Sequence, residues 1–216
     1  HQSGGRMVGY DNNHILFTIG DYRLRKRAQE KDSIFGKIIK INISEKNYDL
    51  VSMGHRNPQG LTYNKKSNLI LSTEHGPKGG DEINLVELKL NKIENFGWPI
   101  SSYGEHYGDE KRNGDKYELY PLHKSHEKYG FKEPLKYFVP SIGISEIVTY
   151  SDKKYIFSSL RKQNIFSLSL NDKNEIIKIT EIEIGERIRD MLYIKELDKI
   201  ILFLEDSASI AVIQKF

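Results

Sequence analysis

The chain has 216 residues, 38% hydrophobic and 29% charged, with 13 Tyr and 9 Phe to furnish a core of ordinary size for one domain. Its 33 basic and 30 acidic residues leave a formal charge of +3, a near-balanced surface that gives no case for nucleic-acid or membrane binding. With no cysteine, disulfides, thiolate metal sites and Cys nucleophiles are excluded, and no apolar run approaches the ~20 residues of a membrane-spanning helix.

Read in chain order, the sequence repeats one plan four times. Arg6 to Tyr10 is followed by His14 to Ile19, Gly60 to Tyr63 by Asn68 to Thr73, Glu146 to Tyr150 by Tyr155 to Ser159, and Asp190 to Ile194 by Lys199 to Leu204. Each pair reads as strand, short polar turn, strand, rich in β-branched and aromatic residues. A third strand-like run follows each pair, beginning at Lys37, Ile83, Ile165 and Ser209. Extended runs at Tyr48 to Met53, Leu135 to Pro140 and Ile176 to Ile184 precede the last three hairpins and are assigned to them, so that the first repeat lacks its leading strand. Antiparallel units of three to four strands, repeated without long amphipathic helices, predict an all-β chain built as a β-propeller with about four blades. The whole chain, 1–216, is assigned to this single domain. The widest gap, roughly 97 to 132, is a Gly/Tyr/His/Lys-rich insertion. Its length points to a functional loop, with a degenerate extra blade as the alternative.

In an antiparallel hairpin the start of the first strand lies beside the end of the second. The residues flanking the four hairpins therefore share one open face. They are His1 and Asp21; Arg56-Asn57 and Glu74-His75-Gly76-Pro77; Ser141 to Ser145 and Arg161; and Arg187, Arg189 and Glu205-Asp206. Four of the chain's nine arginines stand here, and the guanidinium fork suits carboxylates and phosphates. Together they predict a planar polyanion as ligand; the competing account is structural pairing with Asp81, Glu82, Asp190 or Asp206. A His1 held by Asp21 would be fixed in tautomer and able to take a proton. The turn Gly76-Pro77 can offer backbone oxygens to a hard cation such as Ca²⁺, although Gly-rich turns also simply turn. His123 and His126, with His106, lack further acidic or Cys partners for zinc and read as surface residues. The basic run Arg23 to Arg27, flanked by Glu30 and Asp32, reads as a solvated loop.

At these positions the chain resembles the soluble glucose/sorbosone dehydrogenase family. The resemblance is carried by His1-Gln-Ser-Gly-Gly-Arg-Met, Thr18-Ile-Gly-Asp21, Phe35-Gly-Lys-Ile-Ile, Gly54-His-Arg-Asn-Pro-Gln-Gly-Leu61 and Thr73-Glu-His-Gly-Pro-Lys-Gly-Gly-Asp-Glu-Ile-Asn-Leu85. It continues through Asn95-Phe-Gly-Trp-Pro99, Val139 to Ser145, Ser159-Leu-Arg161 and Arg187-Ile-Arg-Asp190. The stretches at Gly54 and Thr73 are the most specific, and Glu-His-Gly-Pro is closer to the aldose than to the glucose-specific branch.

The resemblance implies a six-bladed propeller carrying pyrroloquinoline quinone (PQQ) and Ca²⁺, which oxidises the anomeric carbon of an aldose to a lactone and passes electrons to an external acceptor. By it, His1 is the general base and Asp21 its orienting partner. Arg56 and Asn57 hold the quinone end, His75 lines the pocket, and Arg161, Arg187 and Arg189 hold the cofactor carboxylates. Gly76 and Pro77 ligate Ca²⁺. Departures are Arg161 where glucose-specific members have Lys, His75 where they have Gln, and Phe138 in place of a Trp. A periplasmic or secreted location is implied, with any targeting segment lost upstream of His1. About two blades would also be missing there, so the chain is expected to be a fragment or to be partnered, for example as a homodimer. The alternative function is a non-enzymatic sugar- or protein-binding propeller; a calcium lactonase fits the cationic face poorly.

Overall fold

The structure is a computed structural model describing residues 1–88, 92–108, 112 and 114–214. In chain order the strands are β1 (Gly4–Gly9), β2 (His14–Ile19), β3 (Lys37–Asn42), β4 (Asn47–Met53), β5 (Pro58–Asn64), β6 (Leu69–Glu74), β7 (Asp81–Val86) and β8 (Glu94–Asn95). After the short helix α1 (Asp115–Leu119) come β9 (Lys136–Phe138), β10 (Ile144–Ser151), β11 (Lys154–Ser159), β12 (Asn164–Leu170) and β13 (Ile176–Glu183). The chain ends on β14 (Ile188–Ile194), β15 (Lys199–Leu204) and β16 (Ser209–Gln214).

These strands form four sheets: β1-β2-β3-β4-β8, β5-β6-β7-β9, β10-β11-β12-β13 and β14-β15-β16. The all-β propeller expectation holds, and each sequence repeat founds one sheet. The assignment of the extended runs does not hold. Met53 pairs with Lys37, Phe138 with Asp81 and Glu183 with Asn164, so each run closes the sheet before it. The first sheet is therefore not short of a strand; the fourth is, with three. For β4 and β13 the reason is local: an antiparallel neighbour is reached by a short connection, such as Ile43 to Lys46 between β3 and β4, whereas β9 returns to β7 only after the stretch 87–135.

Each sheet packs on the next through apolar side chains. Leu16, Ile38, Val51, Leu61, Ile70 and Val86 join the first and second sheets. Leu71, Ile83, Leu85, Ile144, Ile147 and Phe157 join the second and third, and Ile156, Ile165, Ile188, Met191, Ile200 and Leu202 the third and fourth. Burying each such side chain contributes roughly 1.5–3 kcal/mol. Strands β6 and β7, covered on both faces, are buried throughout; β16 alternates exposed and half-buried residues.

The 97–132 segment adds no sheet among its described residues; positions 109–111 and 113 lie outside them, as do 215 and 216. It carries α1 and a 3-10 turn at Glu127–Tyr129, and is tied down by bridges Lys78↔Glu105 and Ser101↔His123. Trp98, Tyr117 and Leu122 bury against Ala28 beneath the first sheet's loop. That loop is fixed by Lys37, whose fully buried ammonium donates to the carbonyls of Arg27, Ala28 and Phe35 at 2.9, 3.0 and 2.7 Å. Burial pulls the Lys37 pKa down to about 8.

Candidate functional site

The four hairpins do open onto a shared face. Their ends pair as Gly4↔Ile19, Pro58↔Glu74, Ile144↔Ser159 and Ile188↔Leu204. Polar bonds join one open end to the next: Gly4 N donates to Asn57 Oδ1 at 3.3 Å, Thr73 Oγ1 to Ser145 O, and Ser145 Oγ to Ile188 O at 2.9 Å. The loop-forming residue behind this order is Asp81. Its Oδ1 accepts from Gly76 N (3.2 Å) and Ser141 Oγ (3.0 Å), its Oδ2 from Gly143 N (2.7 Å) and Ile144 N (3.0 Å). A side chain at Gly76 would strike the Gly80 carbonyl, so the turn can close only with glycine there.

Arg56 is buried. Its Nη1 donates to His75 O at 2.8 Å and its guanidinium lies 5.4 Å from the Trp98 ring centroid. His75 is depressed in pKa by burial first and then by the guanidinium ions of Arg56 and Arg189, against Asp81. His75 stands at the second open end, its backbone N–H donating to Asn57 O at 3.1 Å, and its buried Nε2 has no hydrogen-bond partner among the described residues. Among the described residues Arg161 reaches only Ser141 O, at 3.3 Å. Arg187 and Arg189 form structural ion pairs, but chiefly with Glu205, at 3.1 and 3.0 Å, which the competing account did not name; of the partners it named, only Asp206 is approached among the described residues, by Arg187 at 3.7 Å. They remain more than a third exposed, so the pairs are weak and a stronger anion can compete for them.

The His1–Asp21 pairing is not what the structure holds. His1 is exposed, and the buried Asp21 carboxylate is taken by Trp98 Nε1 at 2.8 Å and Arg23 N at 2.9 Å. With the Gln2 amide oriented to suit its neighbours, its nitrogen donates to Asp21 and its oxygen accepts from Arg56 Nη2 at 2.8 Å. A buried carboxylate recruits the nearest donors, and here these are an indole, a loop amide and Gln2. Burial pushes Asp21 above the usual carboxylate pKa, against the donors and Arg56.

Two other expectations are corrected. Arg25 is not a solvated residue of a basic run: it sits between Trp98 (5.5 Å) and Tyr120 (5.4 Å) and donates to His106 Nδ1 at 3.2 Å. His106 and His126 are buried rather than on the surface, and the three histidines part company. His106 faces Tyr120 O, His126 Nδ1 faces Phe96 O at 2.9 Å, and His123 stacks on Tyr129 at 3.6 Å. Among the described residues no three His, Cys, Asp or Glu side chains could hold a metal ion.

Sequence reasoning gave no role to Glu74, which organises the second open end. Its carboxylate accepts from His55 Nδ1 at 2.8 Å and from the backbone amides of Arg56 and Asn57, and His55 Nε2 meets Ser52 Oγ at 2.8 Å. Beyond it, burial and the Glu74 charge push Glu82 well above the usual carboxylate range. Gly54, Arg56, Glu74, Gly76, Trp98 and His126 are among the residues lining a cleft here. The signal was present, since Glu74 stands inside a motif; its partners are 19 and 18 positions away.

An all-β fold of successive antiparallel sheets, with arginines at the open ends of its hairpins, defines a propeller-type protein. The profile of the family Glucose / Sorbosone dehydrogenase matches residues 1–214, and the chain belongs to that family. It is 30% identical to the aldose sugar dehydrogenase YliI of Escherichia coli over 212 residues, covering 87% of this chain and 53% of YliI. It is 32% identical over 139 residues to quinoprotein glucose dehydrogenase B of Acinetobacter calcoaceticus, covering 50% of this chain and 28% of that protein. The apo crystal structure of the soluble E. coli aldose sugar dehydrogenase superposes with a TM-score of 0.78 at 26% identity, covering 97% of this chain and 62% of that one. The chain spans about half the length of the curated relatives it matches over most of its own length. No helix among the described residues is long and apolar enough to cross a membrane.

Proposed function

We propose that this chain carries the cofactor face of a PQQ-dependent aldose dehydrogenase, which oxidises the anomeric carbon of an aldose to a lactone. The observation that carries the reading is His75, whose buried Nε2 is unpartnered among the described residues and whose carbonyl accepts from the buried Arg56 guanidinium at 2.8 Å. An orphaned polar atom beside a buried cation suits a planar polycarboxylate. PQQ would supply the two-electron acceptor. Arg56 and Asn57 would hold its quinone end, and Arg161, Arg187 and Arg189 its carboxylates. The carbonyl oxygens of Gly76 and Pro77, which accept no hydrogen bond among the described residues, would ligate Ca²⁺.

In this reading His1 removes the proton of the C1 hydroxyl as the C1 carbonyl forms. Asp21 acts on it from behind Trp98 and Gln2, lending negative charge to the neighbourhood rather than a direct bond. Arg56, stacked on Trp98 and bonded to the His75 carbonyl, is pre-set for the ligand and pays little ordering entropy on binding. Electrons would leave to an external acceptor, and the protein would work in the periplasm or outside the cell. The 1–216 unit would act as one domain within a larger ring or as a homodimer.

A second reading, a non-enzymatic binding propeller, is favoured by the pairing of Arg187 and Arg189 with Glu205 and by the exposure of His1. The deciding assay mixes the chain with PQQ, Ca²⁺ and an aldose panel and follows reduction of a redox dye. Calcium-dependent turnover lost in His1→Ala supports the dehydrogenase. PQQ binding without turnover supports the binding module.

A further inference from the structure

Each of the four hairpins has an irregularity at the same place, just inside its open end. The register shifts between Gly4 and Met7 on β1, Pro58 and Gly60 on β5, Ile144 and Ile147 on β10, and Ile188 and Asp190 on β14. A bulge re-aims the groups of the extra residue. Here all four re-aimed positions meet at one side chain. From β1, Arg6 Nε donates to the Gln59 carbonyl on β5. Its Nη1 lies 2.8 Å from Glu146 Oε2 on β10 and 2.7 Å from Asp190 Oδ2 on β14, and its Nη2 donates to the Arg189 carbonyl at 3.2 Å.

Apolar clusters join each sheet to the next. The Arg6 fork does something they do not: it links the first sheet to the fourth, across 184 positions of sequence. The network is anchored from the other side as well. Glu146 Oε1 accepts from Leu61 N at 3.3 Å and Ile147 N at 2.8 Å, and Ser145 Oγ donates to Arg189 O at 2.8 Å. Arg6 thus lies one layer beneath the open ends that carry Asn57 and Arg189, and one of its bonds lands on Arg189 itself.

We propose that Arg6 is a positioning residue that sets the spacing between the Arg56-Asn57 end and the Arg187-Arg189 end, so that both can engage one rigid polycarboxylate. This rests on the cofactor reading above. Two anchor points reinforce each other only when their separation matches the ligand, and displacements near 1 Å are costly. A guanidinium has five donors in a fixed fork and so can bind three strands at once; an ammonium at the same place has the charge but not the geometry.

The experiment uses the full chain and two readouts. Because the chain has no Cys, spin labels at Tyr48→Cys on β4 and Ile210→Cys on β16, both exposed, report the distance between the first and fourth sheets. Because it has one Trp, quenching of Trp98 reports PQQ binding beside Arg56. Arg6→Lys is expected to broaden or shift the inter-label distance and to weaken PQQ binding by about tenfold or more. Leu170→Ala, a core change at the end of β12 opposite the open ends, lowers the melting temperature without either effect. Should Arg6→Lys not fold, Asp190→Asn replaces it, since it removes the charge that Arg6 meets on the fourth sheet and leaves the bond to the Arg189 carbonyl. An unchanged distance distribution, or affinity within twofold of the parent in a folded variant, overturns the proposal. If the parent chain fails to bind PQQ, the cofactor reading falls and the ligand half of this proposal with it; the distance measurement still decides whether Arg6 sets the spacing.

Discussion

Trp98 donates its indole N–H to Asp21 Oδ2 at 2.8 Å, which fastens the 97–132 segment to the loop after β2. The same ring carries Arg56 and Arg25 against it, so one side chain joins the second open end, the first open end and the inserted segment.

Trp98→Phe keeps the stacking surface and removes that donor. The Asp21 carboxylate, buried and already raised in pKa, then loses a partner it cannot replace from water. The expected cost is about 1–3 kcal/mol of unfolding free energy, read from chemical denaturation followed by circular dichroism. Dye-linked turnover in the assay proposed above should fall at the same time. Unaltered stability would mean that Gln2 and Arg23 suffice for Asp21.

Arg56→Lys tests the second open end. Lysine can neither stack broadly on Trp98 nor reach the His75 carbonyl in the same geometry. PQQ affinity, titrated through Trp98 fluorescence, should drop by about tenfold or more, with a small change in melting temperature.

Glu205→Gln bears on the competition at the fourth end. Arg189 and Arg187 hold the Glu205 carboxyl below its usual pKa, and they are released when the charge is removed. A several-fold gain in PQQ affinity at low salt is expected, fading as salt screens the site. A loss instead would show that Glu205 orients the two arginines rather than blocking them.

Stability should fall with rising pH because of Glu146. Burial pushes its carboxyl up to about 8, against the pull of Arg6. The folded state therefore binds a proton more tightly than the unfolded chain, whose carboxyl titrates near 4.5. The advantage is whole below pH 4.5 and is lost as pH climbs through about 8, at roughly 1.4 kcal/mol per pH unit in between. Glu146→Gln should flatten this part of the urea-midpoint profile. Glu82, raised in the same direction, adds to the slope in the parent and in the variant alike.

The strand-turn-strand repeats, the absence of long helices and the cationic open ends are local features, and the sequence by itself determined them: β-branched alternation makes strands, and antiparallel pairing places the flanks of a hairpin side by side. It also placed Arg56 and His75 beside the open end of the second hairpin and Arg189 at that of the fourth. Asn47–Met53 closed the first sheet instead of leading the second because a tight turn at 43–46 returns it there, whereas the pairing of Lys136–Phe138 with Asp81–Ile83 crosses the stretch 87–135 and was decided only in three dimensions. The partners of charged groups were likewise decided in three dimensions. Arg187 and Arg189 found Glu205, Asp21 found Trp98 77 positions away, and Arg6 found Asp190 from the far end of the chain. A buried charge takes whichever donors or acceptors the packed structure leaves within about 3 Å, and that neighbourhood exists only once the sheets have assembled.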